Sequence, residues 1–275
     1  MTDPDAVVIG AGPNGLAAAI VLARAGRSVV VFEAADTIGG GTRSEALTLP
    51  GFVHDVCSAI HPFAVASPFF RTLPLADYGL EWIEPDAMLA HPLDEGEAVI
   101  VERSIERTAA GLGVDEASYR RVMERLARDW PRLESSLLGP PGWPRHPLAV
   151  ARFGMDALRS AESVAGKLFR GERARALFAG MAAHAMLPLD RSPTAGVGLV
   201  LGALAHIAGW VLPRGGAQSI ANALAEQLRA LGGRIVTGSP ITSLDDLPQT
   251  RAILCDLSPG PFLRLAGDRL PVSYR

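Results

Sequence analysis

Near its start the chain reads Ala6-Val7-Val8-Ile9-Gly10-Ala11-Gly12-Pro13-Asn14-Gly15. The first four residues are apolar and mostly β-branched, which is typical of a strand buried on both faces. Residues 14–24 are rich in Ala and Leu and predict a helix that ends at Gly26. A strand, a GxGxxG turn and a helix in this order are typical of a unit that binds a dinucleotide.

A second, mostly apolar run, residues 28–33, predicts another buried strand, which ends at Glu33. Two such strands joined by one helix run parallel with a right-handed crossover. In this unit Gly10 permits a tight turn, Gly12 lets the backbone approach a pyrophosphate, and Gly15 lets helix and strand pack closely. Glu33 lies about 20 residues beyond the last glycine, where an acid accepts hydrogen bonds from a ribose hydroxyl.

A second glycine-rich segment, Ile38-Gly39-Gly40-Gly41-Thr42-Arg43, begins a few residues after Glu33. Its glycines let the main chain approach a further part of a ligand, and Arg43 offers a fork of donors to phosphate. NAD needs no such second contact, whereas FAD spans a greater length. The segment therefore predicts FAD, on the condition that the two glycine-rich loops converge on one nucleotide.

The composition of the chain argues against several classes of function. Apolar residues make up 48% and charged residues 20%, as in a globular chain, and the net charge of −3 gives no basic excess for nucleic acid. The two cysteines and six histidines show no metal-ligand or disulfide spacing, so we expect no metal. Asp3 and Asp5 stand where a secretory signal would carry positive charge, and we expect a cytoplasmic protein.

Three parts follow one another along the chain. Residues 1–95 predict a FAD-binding βαβ unit and its loops, residues 96–212 a mainly helical insertion, and residues 213–275 a return to the FAD-binding domain. The predicted fold class is α/β, a Rossmann-like FAD-binding domain with a parallel sheet, interrupted by a mainly helical substrate-domain insertion.

Local signals within the insertion predict individual elements. Asp94-Glu95-Gly96 predicts the turn of a hairpin within residues 93–101. Asp115 predicts the cap of a helix, and residues 150–186 predict two helices separated near Gly171.

Further motifs accompany the two loops, namely Leu49-Pro50-Gly51-Phe52-x-His54-Asp55, Pro213-Arg214-Gly215-Gly216 and Asp256-Leu257-Ser258-Pro259. With residues 10–15, Glu33 and Ile38-Gly39-Gly40, they resemble the FAD-dependent phytoene-desaturase-like oxidoreductases, relatives of the flavin amine oxidases. The resemblance implies a dehydrogenase or desaturase that passes a hydride from an apolar or amine substrate to flavin. Members of this family run on beyond the ending seen here, so the resemblance also implies an N-terminal portion or split half that pairs with a missing C-terminal half.

The same resemblance implies which residues contact FAD. They are Gly10, Gly12, Pro13, Asn14, Gly15, Glu33, Ala34, Gly40, Gly41, Thr42 and Arg43, with the backbone near Ile241 meeting the adenine. Many relatives place arginine directly after the Gly-Gly pair, whereas this chain has glycine at 41 and arginine at 43.

The sequence assigns no catalytic residue, because flavin itself carries the hydride chemistry. His54, His61 and His184 can handle protons, although a structural role is the more frequent one for such histidines. Two other readings of the chain stay open, a non-catalytic or split-half nucleotide-binding fragment and an NAD(P)-dependent dehydrogenase.

Two segments allow alternative interpretations. The apolar run of residues 196–212, with Met181, Met186 and Trp210, suits a channel for a small hydrophobic substrate or an ordinary core helix. A basic set suits peripheral contact with an anionic membrane or a solvated helix face. This set comprises Arg159, Lys167, Arg170, Arg173 and Arg175.

Overall fold

The computed structural model describes residues 3–94 and 97–275. Its strands are β1 (Ala6–Ile9), β2 (Val29–Phe32), β3 (Ser44–Glu45), β4 (His54–Asp55), β5 (Trp82–Ile83), β6 (Leu89–His91), β7 (Val99–Val101), β8 (Leu212–Pro213), β9 (Arg234–Val236) and β10 (Ala252–Cys255). Its α-helices are α1 (Pro13–Arg24), α2 (Pro62–Ala66), α3 (Ile105–Ala110), α4 (Glu116–Leu137), α5 (Pro147–Ala157), α6 (Ala161–Leu168), α7 (Glu172–Ala182), α8 (Thr194–Ile207), α9 (Gln218–Ala230) and α10 (Pro259–Ala266).

The chain divides into two compact units. The first comprises the chain up to Ala59, Pro74–Ile83 and Leu212–Arg275, and the second comprises Ile60–Leu73 and Glu84–Val211. The first unit contains the parallel sheet, and the second contains helices α2 to α8.

A four-stranded parallel sheet organises the first unit, with the strand order β10-β1-β2-β9. Every residue of β1 is buried, and Val7 and Val8 expose none of their surface. The helices α1 and α9 pack against each other beside the sheet. Apolar strands of this kind are typical of parallel sheets that are covered on both faces. The predicted α/β class with a parallel, Rossmann-like sheet is confirmed.

The strand order changes direction at β1. From β1 the chain passes through α1 to β2 on one side, whereas β10 pairs on the other side, with Ile9 opposite both Phe32 and Cys255. In open parallel sheets ligands bind at such a switch point, outside the carboxyl ends of the strands. Gly10, Glu33 and Asp256 each follow one of these strands directly and therefore lie at that edge.

A helical core fills the second unit, and α8 runs through it. A Cβ added at Gly198 would lie 3.0 Å from the ring of Phe178, and one at Gly202 would lie 3.0 Å from Met123. Met181 and Trp210 belong to the same core, whereas Met186 is exposed. The apolar run of residues 196–212 therefore forms a core helix and its continuation, and no helix in the described parts of the chain could span a membrane.

Residues 150–186 form three helices, so the prediction of two is wrong. Gly171 does precede α7, as predicted, but a further break separates α5 from α6. Ser160 marks the far side of this break, because its hydroxyl accepts the N–H of Ser163 and caps α6.

The prediction that Asp115 caps α4 with its side chain is also wrong. Asp115 occupies the N-cap position, but no cap hydrogen bond forms there. Its buried carboxylate instead accepts the N–H groups of Arg170 at 2.8 Å and Gly171 at 2.6 Å. The side chain therefore ties the start of α7 to the start of α4.

The predicted hairpin has its strands in β6 and β7, which pair antiparallel with Leu89 opposite Val101. The first strand thus ends at His91, before the predicted start at residue 93. The turn residues Glu95 and Gly96 lie outside the described residues.

Candidate functional site

The turn between β1 and α1 is shaped by its glycines. Gly10 has φ +104°, and a Cβ there would lie 2.5 Å from the carbonyl oxygen of Asp256. A Cβ at Gly15 would lie 2.2 Å from the carbonyl oxygen of Gly10. No side chain fits at either position, because both distances are far below a van der Waals contact.

The N-terminus of α1 opens directly from this turn. Gly12 is the N-cap residue and Pro13 occupies the first helical position, where its missing N–H costs nothing. The first turn of α1 carries no acidic side chain. Free N–H groups and the helix dipole make such a terminus suitable for an anionic group.

The second glycine-rich loop meets the first. The N–H of Gly39 donates to the carbonyl of Ala11 at 2.9 Å. Gly40 has φ +52°, and a Cβ there would lie 3.3 Å from the Cα of Gly12. The two loops therefore converge, and backbone approaches backbone without a side chain between Gly40 and Gly12.

Glu33 joins the first loop to the end of β2. One carboxylate oxygen accepts the N–H of Ala11 at 2.8 Å, and the other accepts the N–H of Ala35 at 3.0 Å. Because each carboxylate oxygen can accept more than one hydrogen bond, Glu33 can also accept from a ligand hydroxyl.

A cavity of 420 Å³ opens beside Glu33 in the first unit. This volume lies within the range of small-molecule sites. Gly10, Ala34 and Ile241 line it together with Glu33, and apolar side chains such as Phe32 form much of the wall. Four of the predicted contact residues thus lie around one cavity, and their contact with a nucleotide stays a prediction.

The remaining predicted residues shape the second loop. The hydroxyl of Thr42 donates to the carbonyl of Gly39 at 2.8 Å, and the carbonyl of Gly41 accepts the N–H of Ser58. The Nε of Arg43 donates to the carbonyl of Gly40 at 3.2 Å, and its Nη1 lies 3.4 Å from a carboxylate oxygen of Glu45. Arg43 is engaged within its own loop, so its role toward phosphate stays a prediction.

The three candidate histidines have separate surroundings. In the first unit, Nε2 of His54 lies 2.7 Å from the hydroxyl of Thr48. In the second unit, His61 precedes α2, and Nδ1 of His184 lies 3.2 Å from the carbonyls of Gly180 and Met181. These are local backbone and side-chain contacts, and none of them assigns a catalytic role.

His206 is a partly buried histidine that sequence reasoning did not single out as a functional residue. Its Nδ1 lies 3.1 Å from the carbonyl of Arg103 and its Nε2 lies 2.7 Å from the hydroxyl of Tyr119. Burial lowers the pKa of His206 and raises the pKa of Tyr119. Both groups are therefore neutral at pH 7, and Tyr119 lies in the helical core. Among residues 3–94 and 97–275, no group of three or more His, Cys, Asp or Glu side chains could hold a metal ion.

Asp256 is the residue at this edge whose role sequence reasoning missed. Its Oδ2 accepts the N–H of Gly15 at 2.8 Å, across 241 residues of sequence. The available signal was its position directly after the buried strand β10, at the edge where Gly10 and Glu33 also lie.

Comparison with known proteins agrees with this geometry. A family model described as FAD dependent oxidoreductase matches residues 5–258. The chain is 29% identical over 290 residues to a phytoene dehydrogenase of Streptomyces griseus, with 98% of this chain and 55% of that protein covered. The chain therefore spans about half the length of this curated relative.

Solved structures share the fold. A putrescine oxidase double mutant matches with a TM-score of 0.63 and 24% identity, covering 98% of this chain and 62% of that one. An oxidoreductase from Methanosarcina mazei matches with a TM-score of 0.66 and 18% identity, covering 98% and 63%. Cyclohexylamine oxidase from Brevibacterium oxydans matches with a TM-score of 0.59 and 19% identity, covering 99% and 62%.

Proposed function

The chain belongs to the family of FAD dependent oxidoreductases, and we propose that it binds FAD at the carboxyl edge of its sheet and takes part in hydride transfer from a small apolar or amine substrate to that flavin. The observation that carries the proposal is the convergence of the two glycine-rich loops. Gly39 donates to Ala11, and Gly40 lies against Gly12, so backbone from both loops faces one location.

The residues at this edge suit a long, anionic dinucleotide. The N-terminus of α1 suits the pyrophosphate, and Gly12 and Gly40, which lie against each other, present backbone without side chains there. Glu33 suits the ribose hydroxyls, and the cavity that Glu33 shares with Ala34 and Ile241 suits the adenosine. When bound, the flavin ring accepts the hydride, and the residues of the chain hold and orient it.

The relatives support the substrate class. The curated relative is named a phytoene dehydrogenase, and two of the solved structures are a putrescine oxidase and a cyclohexylamine oxidase. An apolar carbon skeleton or an amine is therefore the substrate class that we propose for this chain, with the remainder of the site supplied by a further C-terminal portion.

Equilibrium binding tests the proposal. The purified chain is equilibrated separately with FAD and with NADH, and the bound nucleotide is measured per mole of protein by absorbance. We expect the chain alone to bind FAD, although weakly, and to retain no NADH. Retention of NADH alone would support an NAD(P)-dependent dehydrogenase instead. Bound FAD with no reduction by any polyene or amine, both without and with a candidate C-terminal portion added, would support a non-catalytic nucleotide-binding chain.

Peripheral membrane contact is a further part of the proposal, and α5 is the surface that supports it. Leu148, Met155 and Leu158 follow one another at helical spacing and are 86%, 69% and 71% exposed. Arg152 lies between them on the same helix, and exposed Trp143 precedes it. Apolar side chains beside a cation suit an anionic bilayer surface.

The basic set that the sequence singled out is mostly engaged inside the second unit. Lys167 pairs with Asp156 at 2.9 Å, and Arg173 donates to the backbone carbonyls of Gly111 and Ala98. These contacts favour a structural role for Lys167 and Arg173 over contact with lipid.

A further inference from the structure

Asp256 links the sheet to the start of α1. Its N–H donates to the carbonyl of Ile9 at 2.8 Å, which continues the pairing of β10 with β1. Its Oδ2 accepts the N–H of Gly15 at 2.8 Å. A single residue at the switch point of the sheet thus holds the end of β1 and the first turn of α1.

The helix α1 has no cap of its own. Its N-cap residue is Gly12, which has no side chain, and a Cβ there would lie 2.9 Å from Oδ2 of Asp256. The residue that usually caps a helix therefore cannot do so here. Asp256, which directly follows β10, provides the missing acceptor.

The glycine-rich turn is packed on Asp256. A Cβ at Gly10 would lie 2.5 Å from the carbonyl oxygen of Asp256, and a Cβ at Gly15 would lie 3.1 Å from its Cβ. Within the part of the chain that the structure describes, the N–H of Asn14 has no protein acceptor. Asp256 thus accepts the hydrogen bond of the Gly15 N–H, and the Asn14 N–H stays available to a ligand.

We propose that Asp256 is a positioning residue for the dinucleotide, and this inference rests on the proposed function. By holding the Gly15 amide, the carboxylate fixes the first turn of α1 and the preceding loop. The Asn14 amide and the glycine backbone are then oriented toward the pyrophosphate before it binds. Such preorganisation removes an ordering cost from binding.

Titration of flavin fluorescence with the full chain tests this role. Asp256→Ala removes the acceptor and should weaken FAD binding about tenfold, the effect of losing one hydrogen bond to a charged group. Asp256→Asn keeps an oxygen that can accept from Gly15 and should stay within about threefold of the unchanged chain. Adenosine, which has no phosphate, should bind all three proteins equally.

Asp5→Ala is the matched control. The Asp5 carboxylate accepts the backbone N–H of Ser28 at 3.0 Å at the opposite end of the same sheet. Asp5→Ala should lower the melting temperature and leave the dissociation constant for FAD unchanged. If Asp256→Ala does not fold, Asp256→Ser, whose side chain is shorter by one bond, replaces it.

The outcomes separate this inference from the proposed function. Absence of FAD binding by the unchanged chain contradicts the proposed function and the inference with it. FAD binding that is unchanged or tighter in Asp256→Ala contradicts the inference alone. A loss of affinity in Asp256→Ala that Asp256→Asn restores, and that Asp5→Ala does not show, supports it.

Discussion

At the scale of single residues, Glu33 connects the first glycine-rich loop to the sheet. Its carboxylate accepts the N–H groups of Ala11 and Ala35. Glu33→Ala leaves both donors without this acceptor, so we expect a loss of about 2 kcal/mol in the free energy of unfolding and about tenfold weaker FAD binding. Urea unfolding and flavin fluorescence measure the two effects.

The control for Glu33 is Glu81→Ala. Glu81 pairs with Arg214 in the same unit, but both side chains are about two-thirds exposed, with 68% and 66% of their surface accessible. Exposed ion pairs contribute little, so this variant should bind FAD normally. Equal losses in both variants would show that Glu33 has no special role in the loop.

His206 gives a pH dependence that can be measured. Burial lowers its pKa below the ordinary value near 6.5, so the unfolded chain binds more protons than the folded chain as the pH falls. The contribution of this histidine to stability is full above about pH 6.5 and is lost below it. Burial lowers the pKa of His91 as well, so His91 adds to the same loss.

Urea unfolding at pH 8 and at pH 5.5 checks this expectation. The free energy of unfolding should be lower at the acid pH, and the difference should shrink in His206→Gln. His146→Gln, at an exposed position, should leave the difference unchanged. A difference that is the same in all three proteins would contradict a His206 that stays neutral in the folded chain.

Local motifs predicted some of these residues and missed others for a physical reason. Gly10, Gly12, Gly15 and Glu33 follow a spacing within one βαβ unit, so sequence alone locates them. Asp256 acts on Gly15 across 241 residues, and no local spacing records that contact. Only the register of β10 against β1 brings the two together.

At the scale of secondary-structure elements, the glycines of two helices give opposite expectations. Gly198 in α8 lies against Phe178 and Ala182, where an added Cβ would be 3.0 Å and 3.1 Å from them. Gly166 in α6 has no atom within 4 Å of an added Cβ. Alanine raises helix propensity at both positions, but only Gly198 also overpacks the core.

Gly198→Ala should therefore lower the free energy of unfolding by about 1 kcal/mol, after the gain in helix propensity is offset. Gly166→Ala should raise it by up to about 1 kcal/mol. Chemical denaturation of both variants measures the difference. Stabilisation by both substitutions would mean that α8 has more room than the packing indicates.

The first two strands and the helix between them were predicted nearly to the residue, because buried parallel strands and a glycine turn leave strong local patterns. The middle helices were harder. Ser160 separates α5 from α6 by a single capping hydroxyl, which the apolar pattern of residues 150–186 does not reveal. Aspartate is a common N-cap residue, but the carboxylate of Asp115 accepts the distant N–H of Gly171 instead of an N–H of its own helix.

At the scale of the whole molecule, membrane contact through α5 makes a testable prediction. The chain should float with vesicles that contain anionic phospholipid and much less with neutral ones. The double variant Met155→Ser and Leu158→Ser should reduce flotation. Val114→Ser, at a position that is 78% exposed outside α5, is the control. Equal flotation with neutral vesicles, or equal loss in the control, would contradict the α5 surface.

The fold class and the cofactor followed from the sequence, since both depend on patterns within the first 45 residues and on the later strands. The substrate could not be predicted from the sequence. The apolar run of residues 196–212, which also suited a substrate channel, packs in the core of the second unit. The chain also spans only 55% of the length of the phytoene dehydrogenase that it matches.

The central claim is that both glycine-rich loops bind one FAD molecule. Backbone amide chemical shifts of the ¹⁵N-labelled chain, followed while FAD is added, test it most directly. We predict that the amides of Gly12, Asn14 and Gly40 shift together along one binding curve, while those of α8 stay in place. Shifts confined to residues 10–15, with Gly40 and Gly41 unaffected at saturation, would contradict the claim.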